Sequence, residues 1–349
     1  MTEHGKIYCF EWARVLGALA IVALHAMRVT ELAPGLAAAH ARLFGVEAVL
    51  QVPLARWAVP VFLMVSGALL LDPGREMPPR KIGRHVWRMA FVLLTVGLAF
   101  CVMEQVADVR AQTGAITLTW GMLGRALLNL LEGNSWDHLW YVYALIGLYL
   151  LTPFIRGFQA HATRRQIGLA VVLAWALLCL VPLANLLLNV NLYQFVDLSG
   201  AVVYYMLGRY AYEYLELDWR IVAAGVASLA LCCLSAGLGL RSAAGAEVAG
   251  AVALPQYGLV MPFSLMVFLA FKRFANRPQR ERGIAAGLAR DSFGIYLFHP
   301  LFGHLAIWFT NYGAIPVPAL QLGIFVVGVL GSVAITRLLR LLPGFRDKI

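Results

Sequence analysis

Charge is what this sequence has least of. Of its 349 residues only 13% are Asp, Glu, Lys or Arg, against 61% hydrophobic, and the mean hydropathy is +0.76. A soluble core does not need that much apolar material, so composition places the chain among polytopic membrane proteins. Acids are scarcer than bases, 18 against 28, which leaves a formal net charge of +10 and a pI near 9.6. A basic balance can signal nucleic acid. In a chain this apolar it reads instead as Lys and Arg gathered in cytoplasmic loops, and nucleic acid is set aside. Cysteine is scarce too. Cys9, Cys101, Cys179, Cys232 and Cys233 lie in or beside apolar runs, without CxxC pairing or metal spacing, and are expected as small core residues. There is no HExxH and no Cys/His ligand set, so no metal is expected. No cleavable leader is expected either: the first apolar run begins at Ile7 and lacks a small-residue cleavage site.

What is present is a series of long apolar runs. Ten spanning helices are expected, at roughly 7–28, 47–71, 85–106, 138–156, 166–188, 198–215, 219–240, 250–272, 288–309 and 319–341. With the N-terminus inside, 21 of the 28 Lys and Arg fall on the cytoplasmic side and six outside, Arg14 being the remaining one. That bias predicts an all-α polytopic protein with both termini in, at the cytoplasmic membrane of a bacterium. The stretch Thr117–Leu131 is apolar and helix-compatible but too short to span, and is expected as an interfacial or re-entrant helix. With no repeat, low-complexity linker or soluble domain detected, residues 1–349 are expected to form one membrane domain.

The first run carries two expensive residues. Arg14 and His25 are eleven positions apart, which at about 100° per residue brings both to nearly the same helix face, about 16 Å apart along the axis. Ionisable groups stacked in this way inside a membrane point to a functional cavity. Arg14 stays charged at any accessible pH and needs an anion or dipoles; Glu11, one turn earlier, is a candidate partner. Further along, Ser66 precedes Gly67, which reads as close helix packing or as a hydroxyl offered to a cavity. Arg80, Lys81, Arg84 and Arg88 fall at i, i+1, i+4 and i+8, on one side of a helix that enters the membrane. They suit a positive-inside anchor or a polyanionic cytosolic ligand. Trp136, Asp137, His138 and Trp140 open the fourth run on the outer side, as interfacial aromatics or as the lining of a substrate entrance. Tyr296 and His299 lie one turn apart in the ninth, with His299 near mid-membrane.

Together these pieces resemble the acyltransferase-3 family of integral-membrane acyltransferases. The resemblance rests on the Arg14-x10-His25 pair with Glu11 before it, Phe62-Leu-x-x-Ser66-Gly67, and the basic start of the third run. It also rests on His138-Leu-Trp-Tyr…Tyr149-Leu-Leu-x-Pro153 and on Ser292-x-Gly-Ile-Tyr296-x-x-His299, in family order. Where the family usually has Asp-x-Leu-Arg-Gly, this chain has Glu11-Trp-Ala-Arg14-Val, keeping the acid and the arginine. Some members carry an additional soluble esterase-like domain; none is recognised here, so transfer falls to the membrane domain alone or with a separate partner.

The resemblance implies transfer of an acyl group, most often acetyl from acetyl-CoA, to a hydroxyl of a glycan or lipid-linked sugar on the outer side. On that reading Arg14, Arg80, Lys81, Arg84 and Arg88 hold the donor and His25 is the general base, its ordinary pKa near 6.5 suiting the task. An acyl-histidine intermediate is the open variant. Glu11 orients Arg14. Ser66, Trp136, Asp137, His138, Trp140, Tyr296 and His299 contact substrate. Membrane lipid surrounds the protein, and a homo-oligomer stays open. The main rival is a transporter or flippase for an anionic solute or glycan precursor. Paired Gly/Pro-broken helices in two halves and coupling carboxylates would mark one, and both are lacking or few. A non-catalytic scaffold would leave the Arg14/His25 pair without a purpose.

Overall fold

The computed structural model describes residues 8–29, 35–188, 200–239, 252, 254–275 and 284–349. Lys6, Arg241, Arg277, Arg280 and Arg282 of the charge count, and the loop residues Asn189 and Asn191, lie outside them, as does the side chain of Asp137. Among the described residues every regular element is helical. The principal helices are α1 Tyr8–Met27, α2 Ala41–Leu70, α3 Pro79–Thr113, α4 Trp120–Glu132, α5 Trp140–His161 and α6 Arg164–Leu188. They continue with α7 Ala201–Tyr214, α8 Trp219–Gly239, α9 Met261–Phe274, α10 Ile284–Phe309 and α11 Val317–Leu339.

Eight of these, α1, α2, α3, α5, α6, α8, α10 and α11, are long and apolar enough to cross a bilayer. The other two expected spans correspond to α7 and α9, with 14 residues each. At 1.5 Å per residue each covers about 21 Å, short of a hydrocarbon core of about 30 Å. The stretch expected to be too short to span is α4. Thr119 caps it by accepting from the Met122 N–H, and Gly133 ends it at φ 79°. α6 starts with a capping box: Thr163 accepts from the Gln166 N–H, and Gln166 accepts from the Thr163 N–H. Three of the spanning helices contain a π-helical turn, at Val52–Arg56, Leu93–Gly97 and Ala176–Leu180. In the first of them Pro53 has no N–H to give, and a widened turn absorbs the missing bond.

The chain forms two compact units. The first comprises Met1–Arg75 and Ile155–Ile335. In it α1 packs on α10 and α2, and α2 packs on α7. The α2–α7 contact needs glycine on both sides. A Cβ at Gly67 would run into the Tyr205 backbone, and one at Gly208 into that of Met64. Helices brought this close exclude side chains at the crossing, and the fully buried Leu63, Met64, Tyr204 and Tyr205 fill the space around it. The packing alternative for Gly67 is thus the one observed. Two smaller clusters belong to the unit: Val52, Cys232, Ala236, Val260 and Phe263 around α8 and α9, and Ala26, Val29, Leu320 and Ile324 between α1 and α11.

The second unit comprises Glu76–Phe154 and Thr336–Ile349. Gly97 of α3 faces Leu130 and Leu139, and the Tyr143 hydroxyl donates to the Leu130 carbonyl at 2.6 Å. The C-terminal residues turn back onto α3, with the Phe345 ring 5.1 Å from that of Phe91.

Candidate functional site

Glu11, Arg14 and His25 all lie within one uninterrupted helix, α1, each half-buried. The structure adds a partner that spacing alone cannot supply. His299 of α10 is buried, and its Nε2 lies 3.1 Å from Nδ1 of His25, with ring centroids 4.8 Å apart and planes at 63°. Gly328 of α11 packs beside this pair, where a Cβ would make ordinary contact with Val22 and His299.

The surrounding acceptors assign the tautomers. Nδ1 of His299 lies 2.7 Å from the Tyr296 carbonyl oxygen and 3.0 Å from that of Ile295. A carbonyl only accepts, so this nitrogen carries the hydrogen, and in the neutral ring Nε2 is then the acceptor. Nδ1 of His25 lies 3.0 Å from the Ile21 carbonyl and 3.1 Å from that accepting Nε2. It faces two acceptors and therefore also carries its hydrogen. In the neutral pair the basic lone pair of His25 is consequently on Nε2. Helical carbonyls one turn back orient both rings, and each ring fixes the other.

The other residues singled out in the first unit take lesser places. Tyr296 is buried, its ring 6.2 Å from that of His299. The Ser66 hydroxyl donates to the Phe62 carbonyl of its own helix at 2.9 Å, so it faces any ligand as an acceptor only. A buried pair that no motif marks is also present: Glu47 of α2 accepts from Gln321 of α11 at 3.0 Å, and the same amide nitrogen lies 3.4 Å from the Met27 carbonyl. The available signal was an acid within an apolar segment, costly enough to count as a candidate on its own.

In the second unit, Arg80, Lys81 and Arg84 stand exposed on the first turns of α3. Lys81 donates to the Glu76 carbonyl at 3.1 Å. Arg88 differs from them: it is half-buried, and its Nε donates to the Lys348 carbonyl at 2.7 Å. Trp136 and His138 are buried in an aromatic cluster. Trp136 stacks on Phe100 at 4.2 Å with planes 9° apart, and His138 lies 6.0 Å from the same ring. Trp140, at the start of α5, is exposed. Among the described residues no group of His, Cys, Asp or Glu could hold a metal ion.

A family model described as an acyltransferase domain matches residues 7–337, nearly the whole chain, and the protein belongs to that acyltransferase-3 family. No curated protein and no solved structure matches the chain.

Proposed function

We propose that this membrane acyltransferase moves an acetyl group from acetyl-CoA to a hydroxyl of a glycan or lipid-linked sugar, with His25 as general base and His299 as the residue that holds it. The observation that carries the reading is the pair itself, with both Nδ1 hydrogens committed to acceptors and the His25 lone pair on Nε2. Nε2 removes the hydroxyl proton as the acceptor oxygen attacks the thioester carbonyl, giving a tetrahedral oxyanion. The oxyanion collapses, the C–S bond breaks, and the thiolate of CoA leaves. The proton on His25 then passes to that thiolate, and the pair returns to its starting state. While His25 is cationic, its Nδ1–H points at a neutral imidazole nitrogen, which shares the charge without a carboxylate.

Arg14, about 16 Å along the same helix, suits the anionic end of the donor, with Glu11 beside it. The exposed cations Arg80, Lys81 and Arg84 attract a polyphosphate by charge. The recurring excess of Lys and Arg on one set of loops supports a cytosolic donor side in a bacterial inner membrane. One family match running through both units supports reading residues 1–349 as a single working domain. The test compares wild type with His25→Ala in two assays. The variant should bind acetyl-CoA as wild type does, while O-acetyl groups disappear from the cell's surface glycans by mass spectrometry. Full O-acetylation in the folded variant would overturn the assignment.

A further inference from the structure

One cavity in the first unit, away from the histidine pair in sequence and in lining, has a charge that nothing around it answers. It measures about 430 Å³ and is walled by Leu71, Arg156, Gln159, Arg209, Tyr210 and Tyr214, among others. Arg156 donates from Nη1 to the carbonyls of Leu70 and Asp72, at 2.9 and 2.7 Å, and from Nη2 to that of Arg75 at 2.7 Å. These carbonyls fix the guanidinium, and that of Leu70 belongs to the open last turn of α2, but they carry no net charge. Three of its five N–H groups are used, and two remain for a ligand. The acids nearby are engaged elsewhere. Glu213 pairs with Arg209 at 2.5 Å, and Asp72 reaches Arg209 at 3.5 Å and Arg75 at 3.7 Å. Among the described residues none forms an ion pair with Arg156. On the same wall Nε2 of Gln159 is buried with no acceptor. A half-buried cation without a counter-charge and a buried donor without a partner call for the same thing, an anion with several acceptor oxygens.

We propose that this cavity is a phosphate-ester site, with Arg156 supplying charge, Arg156 and Gln159 the donors, and the Tyr210 and Tyr214 rings, 5.3 Å apart, the wall for the organic part. The cavity lies where α2, α5 and α7 end, the level at which a spanning helix leaves the hydrocarbon. Phosphate esters reach such a place from two sources, a soluble nucleotide or a phospholipid headgroup. The site goes beyond the transfer reaction and does not depend on His25.

The test uses the full-length protein and two probes. Binding of uridine 5′-diphosphate, a nucleotide that is no part of the proposed donor, is followed by titration in detergent. Retention of phosphatidylglycerol is followed by native mass spectrometry after extraction from phosphatidylcholine nanodiscs with and without it. Gln159→Glu places a carboxylate beside Arg156 and removes a donor; Gln159→Leu removes the donor alone and serves if the first variant fails to fold. Wild type should bind one or both probes, and either variant should bind it about tenfold more weakly. His25→Ala should bind as wild type does, which separates this site from the catalytic assignment. Nucleotide binding alone identifies the soluble source, lipid retention alone the headgroup, and both a shared site. Failure of wild type to take either probe, or equal binding by a folded Gln159 variant, would overturn the proposal.

Discussion

The two units hold their polar groups in opposite ways. In the first, His25 and His299 meet at 3.1 Å, and each ring is pinned through Nδ1 to a carbonyl of its own helix. In the second, Arg80, Lys81 and Arg84 stand in the open on the first turns of α3. Under the proposed mechanism the difference separates two kinds of work. Taking a proton from a hydroxyl requires a lone pair at a set place and angle, so the groups that do it must themselves be held. Raising the local concentration of a polyanion requires only charge, and a mobile side chain does that as well as a fixed one. Orientation is built into the pair; attraction is left to the helix start.

That contrast predicts a ranking of effects. The largest belongs to His25. Replacing it by Ala removes the proposed base, and transfer should fall by about 10²–10⁴-fold in kcat with little change in KM for the donor. The measurement is single-turnover transfer from radiolabelled acetyl-CoA to extracted acceptor glycan. A drop confined to KM would move His25 from chemistry to binding. His299 comes next. His299→Ala should cost about ten- to a hundredfold in kcat and shift the pH profile, because the His25 ring loses the acceptor that sets its tautomer. His299→Gln can place an amide oxygen near the lost Nε2 and should recover much of the rate. Equal loss in Ala and Gln, with an unshifted profile, would reduce His299 to packing.

Arg88 lies between the two kinds of behaviour, and its place shows how far the sequence could be read. The helical register sets it on the side of Arg80, Lys81 and Arg84, yet it turns inward to the Lys348 carbonyl. Register tells which residues share a face of α3, not how deep that face goes along its length. Eight of the ten apolar runs fall on helices long enough to cross a bilayer, because run length reads bilayer thickness directly, while the other two fall on the 14-residue α7 and α9. Gly67 was legible because a small residue in an apolar helix means close approach. His25 and His299 were each legible as costly residues, but their contact joins positions 274 apart, and spacing within one helix carries no information about a partner on another. The same blindness hid Glu47 with Gln321 and Arg156 with its three carbonyls. For Arg88 the expected result follows from its contact. Arg88→Gln removes a charge-assisted bond of about 1.5–3 kcal/mol, so amides of the C-terminal turns should exchange about ten- to a hundredfold faster. Hydrogen exchange at Lys348 and Ile349, whose N–H groups both donate to Phe345, reads this directly.

The smallest effects belong to the exposed cations, and their smallness is itself the test. An exposed charge is worth about 0–1 kcal/mol, because water screens it and the side chain keeps its freedom. Arg80→Gln or Arg84→Gln alone should therefore weaken acetyl-CoA binding by about two- to threefold at low salt. At ionic strengths near 1 M the Debye length shrinks to about 3 Å, and the difference from wild type should vanish. Neutralising Arg80, Lys81 and Arg84 together should roughly multiply the single effects, since each acts through the same field without sharing a fixed geometry. A single substitution that costs a hundredfold and resists salt would mean that the side chain is held against the donor in a desolvated pocket. The helix start would then belong with the histidine pair, among groups that work by position, and the contrast between the two units would no longer stand.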